Sequence, residues 1–195
     1  MYKKQMLIQR IVCYAVLAAA ALVFIYSLGL VTDLHYNNFA YYSQNPAKPK
    51  FEGALLFREI QPFNKELTTC GIALMLSAVA MFVFGTHKRR KYYIGNYITV
   101  ALNAVLSLAV SVFGIINVIK YKAEYLKIDF ETLEKLQSQM KKHYSISPFW
   151  FDAGYFVFGF VILVTLVSLL SLAFKVYVMR EEAKLLDGSK EVKNG

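Results

Sequence analysis

Apolar positions along the chain collect into four long runs, residues 11–31, 67–86, 98–119 and 153–174, which hold 21, 20, 22 and 22 residues without one Asp, Glu, Lys or Arg. An α-helix rises about 1.5 Å per residue, so about 20 apolar residues cross the ~30 Å hydrocarbon core of a bilayer. The pattern predicts an all-α integral membrane protein, a single domain over 1–195, with four transmembrane helices and outer loops over 32–66 and 120–152. The first run follows Lys3, Lys4 and Arg10, as the core of a signal peptide would. Its length exceeds the usual h-region and no small-x-small cleavage site follows it, so a retained span is expected.

Polar residues within the runs are unevenly placed. In the third, Asn103, Ser107, Ser111, Gly114 and Asn117 fall within about 120° of one another on a helical projection, leaving Leu, Val, Ile and Phe for most of the remaining surface. In lipid, small residues let backbones approach closely, and interhelical hydrogen bonds from Asn or Ser contribute about 0.6–2 kcal/mol each. The stripe therefore predicts helix packing inside the bundle ahead of an interface with another subunit, and either ahead of a solute path. Ala73 and Ser77 in the second run and the alanines at 18–21 in the first are the expected counterparts, with Thr165, Ser168 and Ser171 in the fourth as weaker ones.

The connections carry patterns of their own. Phe130, Leu133, Leu136, Met140 and Tyr144 recur at steps of three or four, which predicts an amphipathic helix over 129–143 with Asp129 as its cap. Glu131 near its start and Lys141 and Lys142 near its end suit the helix dipole. Such a helix would form a lid or a docking surface. The first outer loop is aromatic, with Tyr36, Phe39, Tyr41, Tyr42, Phe57 and Phe63 among Asn37, Asn38, Gln44 and Asn45. Packing or a protein interface is the preferred reading of these rings over a carbohydrate site, and a short strand is expected over 51–60. Pro148, Phe149 and Trp150 return the chain to the bilayer with aromatic rings at interfacial depth. The fourth helix is expected to run past Phe174 and to stop at Asp187 and Gly188.

Charge orients the spans. The two ends and the middle connection together hold 12 Lys and Arg against 10 in the two long loops, too small a margin to decide. Density decides instead: Lys88, Arg89, Arg90 and Lys91 are contiguous in the short middle connection, which predicts that this connection and both termini are cytoplasmic. Lys141 and Lys142 oppose that assignment. The net charge of +9 invites a nucleic-acid reading. It is absorbed by membrane-flanking positions, where topology and anionic headgroups account for it, so the bilayer and no nucleic acid is the expected partner.

Candidate chemistry is sparse. Cys13 opens the first span and Cys70 the second from the opposite face, a difference in depth of about 20 Å, far beyond disulfide reach. His35, His87 and His143 fall in three different connections without ligand spacing, so no metal and no cofactor is expected. No nucleophile elbow, phosphate-cradling glycine loop or carboxylate pair in a plausible pocket is found, and the chain is read as a non-enzyme. The runs also contain no ionisable group of the kind that holds a coupling ion at membrane depth, unlike small four-span multidrug exporters.

Two stretches, FREIQPFN at 57–64 and THKRRKYYIGNY at 86–97, are similar to those of small, largely uncharacterised four-span proteins of Gram-positive bacteria that occur beside carbohydrate ABC-transporter permeases. The resemblance implies a bacterial plasma membrane and an accessory role beside a sugar importer, with ABC permeases or other integral membrane subunits as partners, and it implies no catalytic residue. Claudin-like and tetraspanin-like proteins share the layout but not the extracellular cysteines. The expected function is a non-enzymatic accessory or scaffolding subunit of a larger membrane complex. The alternatives are a self-contained oligomeric channel or facilitator and a membrane enzyme with an unrecognised site.

Overall fold

The computed structural model describes residues 2–32, 56–86, 93–131, 135 and 147–191. Four helices dominate them: α1 (Tyr2–Thr32), α2 (Leu56–Thr86), α3 (Tyr93–Tyr125) and α4 (Phe149–Glu191). Each contains a segment long and apolar enough to cross a membrane, namely Lys4–Gly29, Glu59–Thr86, Ile94–Tyr125 and Phe149–Lys184. The all-helical architecture with four candidate spans is thus as the hydrophobic runs predict.

The helices are longer than the runs, and three boundaries need correction. The strand expected over 51–60 is helical from Leu56, while 51–55 lie outside the described residues. Leu56, Ile60, Phe63 and Leu67 follow helical spacing and are all buried, and that apolar face offsets the hydrogen bond lost at Pro62, which sits within the second turn of α2. The segments 32–66 and 120–152, expected as loops, are accordingly helical in part: α2 begins at Leu56, α3 ends at Tyr125 and α4 begins at Phe149. At the other end of α4, Asp187 and Gly188 do not stop the helix, which continues to Glu191. An interior Gly costs only about 1 kcal/mol relative to Ala, and Lys184, Leu185, Leu186 and Lys190 around it are good helix formers.

Local chemistry closes the ends near the loops. The amides of Lys127 and Ile128 bond back to the Glu124 and Tyr125 carbonyls at 3.1 and 3.2 Å, a tight turn that finishes α3. Asp129 follows outside the helix and Phe130 and Glu131 are helical again, the position a cap would take; 132–134 and 136–146, with the rest of the expected amphipathic helix, lie outside the described residues. At the start of α4, Ser147 Oγ accepts from the Phe149 amide at 3.3 Å, the Pro148 carbonyl accepts from Phe151 at 3.0 Å, and Asp152 lies in the first turn.

The chain divides into two compact units, and every helix contributes a segment to each. The first unit combines Met1–Ala20, Leu74–Leu108 and Val161–Gly195, with Val16, Leu74, Met81 and Val161 in its core. The second combines Ala21–Ala73 and Ala109–Phe160, with Val23, Leu67, Val118 and Phe158 in its core. Outward faces of the helices are apolar: on α3, Ile98, Leu102, Val105, Val112 and Ile116 are all exposed, a surface suited to lipid rather than water.

Candidate functional site

The polar stripe of α3 faces inward, but it is divided between the two units. In the first, Asn103 is 2% exposed and its Nδ2 donates to Ser77 Oγ at 2.7 Å, while that hydroxyl donates to the Leu74 carbonyl at 2.9 Å. Ser107 is buried below it, and Ala19 and Ala20 of α1 supply the small side chains on the facing wall of a narrow cleft. Thr165 of α4 lines the same cleft and uses its hydroxyl on its own helix, donating to Val161 at 2.8 Å. The cleft has room for about one water-sized group, and most of its wall is Val, Ala and Leu.

The remaining stripe residues, Ser111, Gly114 and Asn117, belong to the second unit. Gly114 lies against the ring of Phe158 so closely that a Cβ would stand 2.2 Å from its Cζ atom. Phe158 also meets the ring of Tyr26 edge-on, with centroids 5.7 Å apart. Ser111 is buried with no partner for its hydroxyl, and the hydroxyl of Tyr26 is likewise unpartnered. Asn117 is half-buried and donates to the Phe113 carbonyl of its own helix at 2.9 Å, so its amide does not reach a neighbour.

Among the loop residues expected to form an outer interface, Phe63 is corrected to a core position. It is buried on α2, with its ring centroid 5.5 Å from that of Phe113 and 5.7 Å from that of Tyr121, because the helical register turns it inward. Tyr121 completes the contact by donating to the Glu59 carbonyl at 3.1 Å. Phe130 is half-buried with its ring 5.4 Å from that of Tyr125. Phe57 lies on α2 with its side chain undescribed; Tyr41, Tyr42, Leu133, Leu136, Met140, Lys88, Arg89, Arg90 and Lys91 lie outside the described residues.

The most polar interior belongs to residues just outside the apolar runs. In the first unit, Gln5 Nε2 donates to Gln9 Oε1 and Gln9 Nε2 donates to Asn96 Oδ1, each at 2.9 Å, giving a buried series of three amides that joins α1 to α3. Gly85 of α2 makes room for it: a Cβ there would lie 2.8 Å from Gln9 Nε2 and 3.0 Å from Asn96 Oδ1. Gln9, Cys13, Asn96, Ser168, Ser171 and Lys175 are among the residues that line a cleft, and Lys175 is only 7% exposed. Asn96 is 1% exposed, and its Nδ2 has no partner. Sequence reasoning bounded by the uncharged runs misses this cluster, since Gln9 precedes the first run, Asn96 the third, and Lys175 follows the fourth by one residue. The available signal is spacing. Gln5 and Gln9 are four apart, and Thr165, Ser168, Ser171 and Lys175 continue one helical face beyond the last apolar residue.

Chemically, the described interior offers amides, hydroxyls, a thiol and one ammonium group rather than a nucleophile with its base. Cys13 and Cys70 are both free thiols. No group of three or more His, Cys, Asp or Glu occurs among the described residues. Lys122 pairs with Asp152 across the second unit, half-exposed. The chain matches no protein-family model, no curated protein and no solved structure.

Proposed function

We propose that this chain is a non-enzymatic accessory or scaffolding subunit of a larger plasma-membrane complex, with a carbohydrate ABC transporter as the complex it serves. The observation that carries this reading is the use of in-span polar groups for packing within the chain. Asn103 is committed to Ser77, and the α3 backbone at Gly114 is closed by Phe158. The clefts of the first unit admit about one water-sized group each, which supports a packing protein better than a solute path. The carbohydrate importer rests on the likeness of residues 57–64 and 86–97 to proteins found beside such permeases.

In this reading both termini and the basic connection at 88–91 face the cytoplasm. Single cysteines placed at Ser43 and Ser189 of a Cys-free variant should differ in reaction with an impermeant thiol reagent in intact cells, with Ser43→Cys labelled and Ser189→Cys protected. The reverse result inverts the topology. The function is tested by purification in mild detergent, where permease or ATPase subunits should accompany the chain. Recovery of a homo-oligomer that supports solute flux in liposomes would replace this reading with a self-contained channel.

A further inference from the structure

The amide and lysine cleft of the first unit lies at the ends of the uncharged runs, where a bilayer spanned by those runs alone would pass from hydrocarbon to headgroups. Gln9 and Asn96 stand two residues before their uncharged runs begin, and Lys175 stands one residue after its run ends, so three different helices bring side chains from the ends of their runs into one cleft. The amide series has a direction there: Gln5 donates to Gln9, Gln9 donates to Asn96, and the donors of the last amide remain without a partner at 1% exposure. A buried NH2 group left without an acceptor costs about 1–3 kcal/mol, which a ligand oxygen would recover. Lys175 lines the same cleft and adds a positive charge. The opening accommodates about one water-sized group, enough for one oxygen of a larger anion whose remaining atoms stay outside.

We infer that this cleft binds one oxygen of a phosphate group, with Asn96 Nδ2 and Lys175 Nζ as its donors. Two sources of that chemistry reach headgroup depth, an anionic phospholipid and free inorganic phosphate. Both satisfy the same two donors, and basic pockets between membrane helices have this affinity for anionic headgroups. The site does not depend on the transporter association, and its readout is separate from co-purification of subunits.

The test uses the full chain in mild detergent, with phosphatidylglycerol, phosphatidylcholine and inorganic phosphate as probes and native mass spectrometry counting retained lipid. The wild-type chain should retain phosphatidylglycerol in preference to phosphatidylcholine, whose phosphate offers the same oxygens but whose choline cation is repelled by Lys175 in the cleft. Lys175→Met, which keeps the apolar stem, and Asn96→Leu should each weaken retention about tenfold or more, the scale of one lost charge-assisted hydrogen bond. Lys175→Arg should preserve it, as should Arg180→Gln at an exposed position of the same helix. If millimolar inorganic phosphate displaces the lipid, the site takes phosphate from either source. If it does not, the lipid is the ligand. Equal retention of the two lipids by the wild-type chain together with no phosphate binding would overturn the proposal, as would unchanged retention in both Lys175→Met and Asn96→Leu. The wild-type comparison decides even if a variant fails to fold.

Discussion

Gly114 gives the sharpest test of the packing. In Gly114→Ala the new methyl would sit 2.2, 2.4 and 2.5 Å from three ring atoms of Phe158, where carbon atoms prefer about 3.5–4.0 Å. The ring must therefore move by more than about 1 Å. It has little freedom to do so, because Phe158 is 0% exposed and its ring is met edge-on by Tyr26 at an interplanar angle of 84°. Overpacking of a closed core costs about 1–3 kcal/mol, and a rigid ring trapped on two sides belongs in the upper part of that range. At about 1.4 kcal/mol per decade, 2–3 kcal/mol is a roughly 30- to 150-fold shift toward the unfolded state. Phe158→Leu, destabilising alone through lost contacts, should relieve the clash, so the double variant should be more stable than the sum of the two single effects by more than about 1 kcal/mol. The assay is reversible unfolding in mixed micelles by titration with sodium dodecyl sulfate, followed by the fluorescence of Trp150, the single tryptophan. A Gly114→Ala chain that unfolds at the wild-type detergent fraction, or single effects that add within a few tenths of a kcal/mol, would refute the argument.

The other expectations use the same titration or simple chemistry. Asn103→Leu, which removes the 2.7 Å bond to Ser77, should cost about 0.6–2 kcal/mol, whereas Val105→Phe at a 68% exposed position should stay within about 0.5 kcal/mol; equal effects would mean the two faces of α3 are not distinguished as described. In the folded, detergent-solubilised chain a maleimide should modify half-buried Cys70 well ahead of buried Cys13, and equal rates measured by intact mass would contradict the burial of Cys13. Lys122→Met, which breaks the exposed pair with Asp152, should change stability by no more than about 1 kcal/mol; a loss above about 2 kcal/mol would show that this pair is shielded from solvent.

Absence of charge made the spans readable, since helix length and uncharged length are tied together by the cost of placing a charge in hydrocarbon. That same criterion concealed what lies just past it. The start of α2 was hidden because Pro62 and the polar residues Arg58, Glu59, Asn64 and Lys65 interrupt the hydropathy, although Leu56, Ile60, Phe63 and Leu67 keep helical spacing. Asn103 and Ser107 were legible as an inward face because a polar stripe on an otherwise apolar helix has few alternatives. Asn117 turning back to Phe113 was not, since spacing assigns a face and leaves the rotamer open. The bond from Gln9 to Asn96 was beyond periodicity altogether, because nothing local to either residue names a partner on another helix.

That last bond also carries a timetable. Its two residues are 87 positions apart in the chain, and ribosomes add about 5–20 residues per second, so Gln9 is made about 4–17 s before its acceptor exists. Within that interval α1 is completed and then α2, whose last residue Thr86 precedes Asn96 by ten, while the amide at Gln9 lacks the acceptor it has in the finished chain. Hydrophobicity can commit the first two helices to the bilayer early. The joint between α1 and α3 nevertheless has a minimum age, set by translation rather than by energy, and no nascent chain that ends before Asn96 can close it.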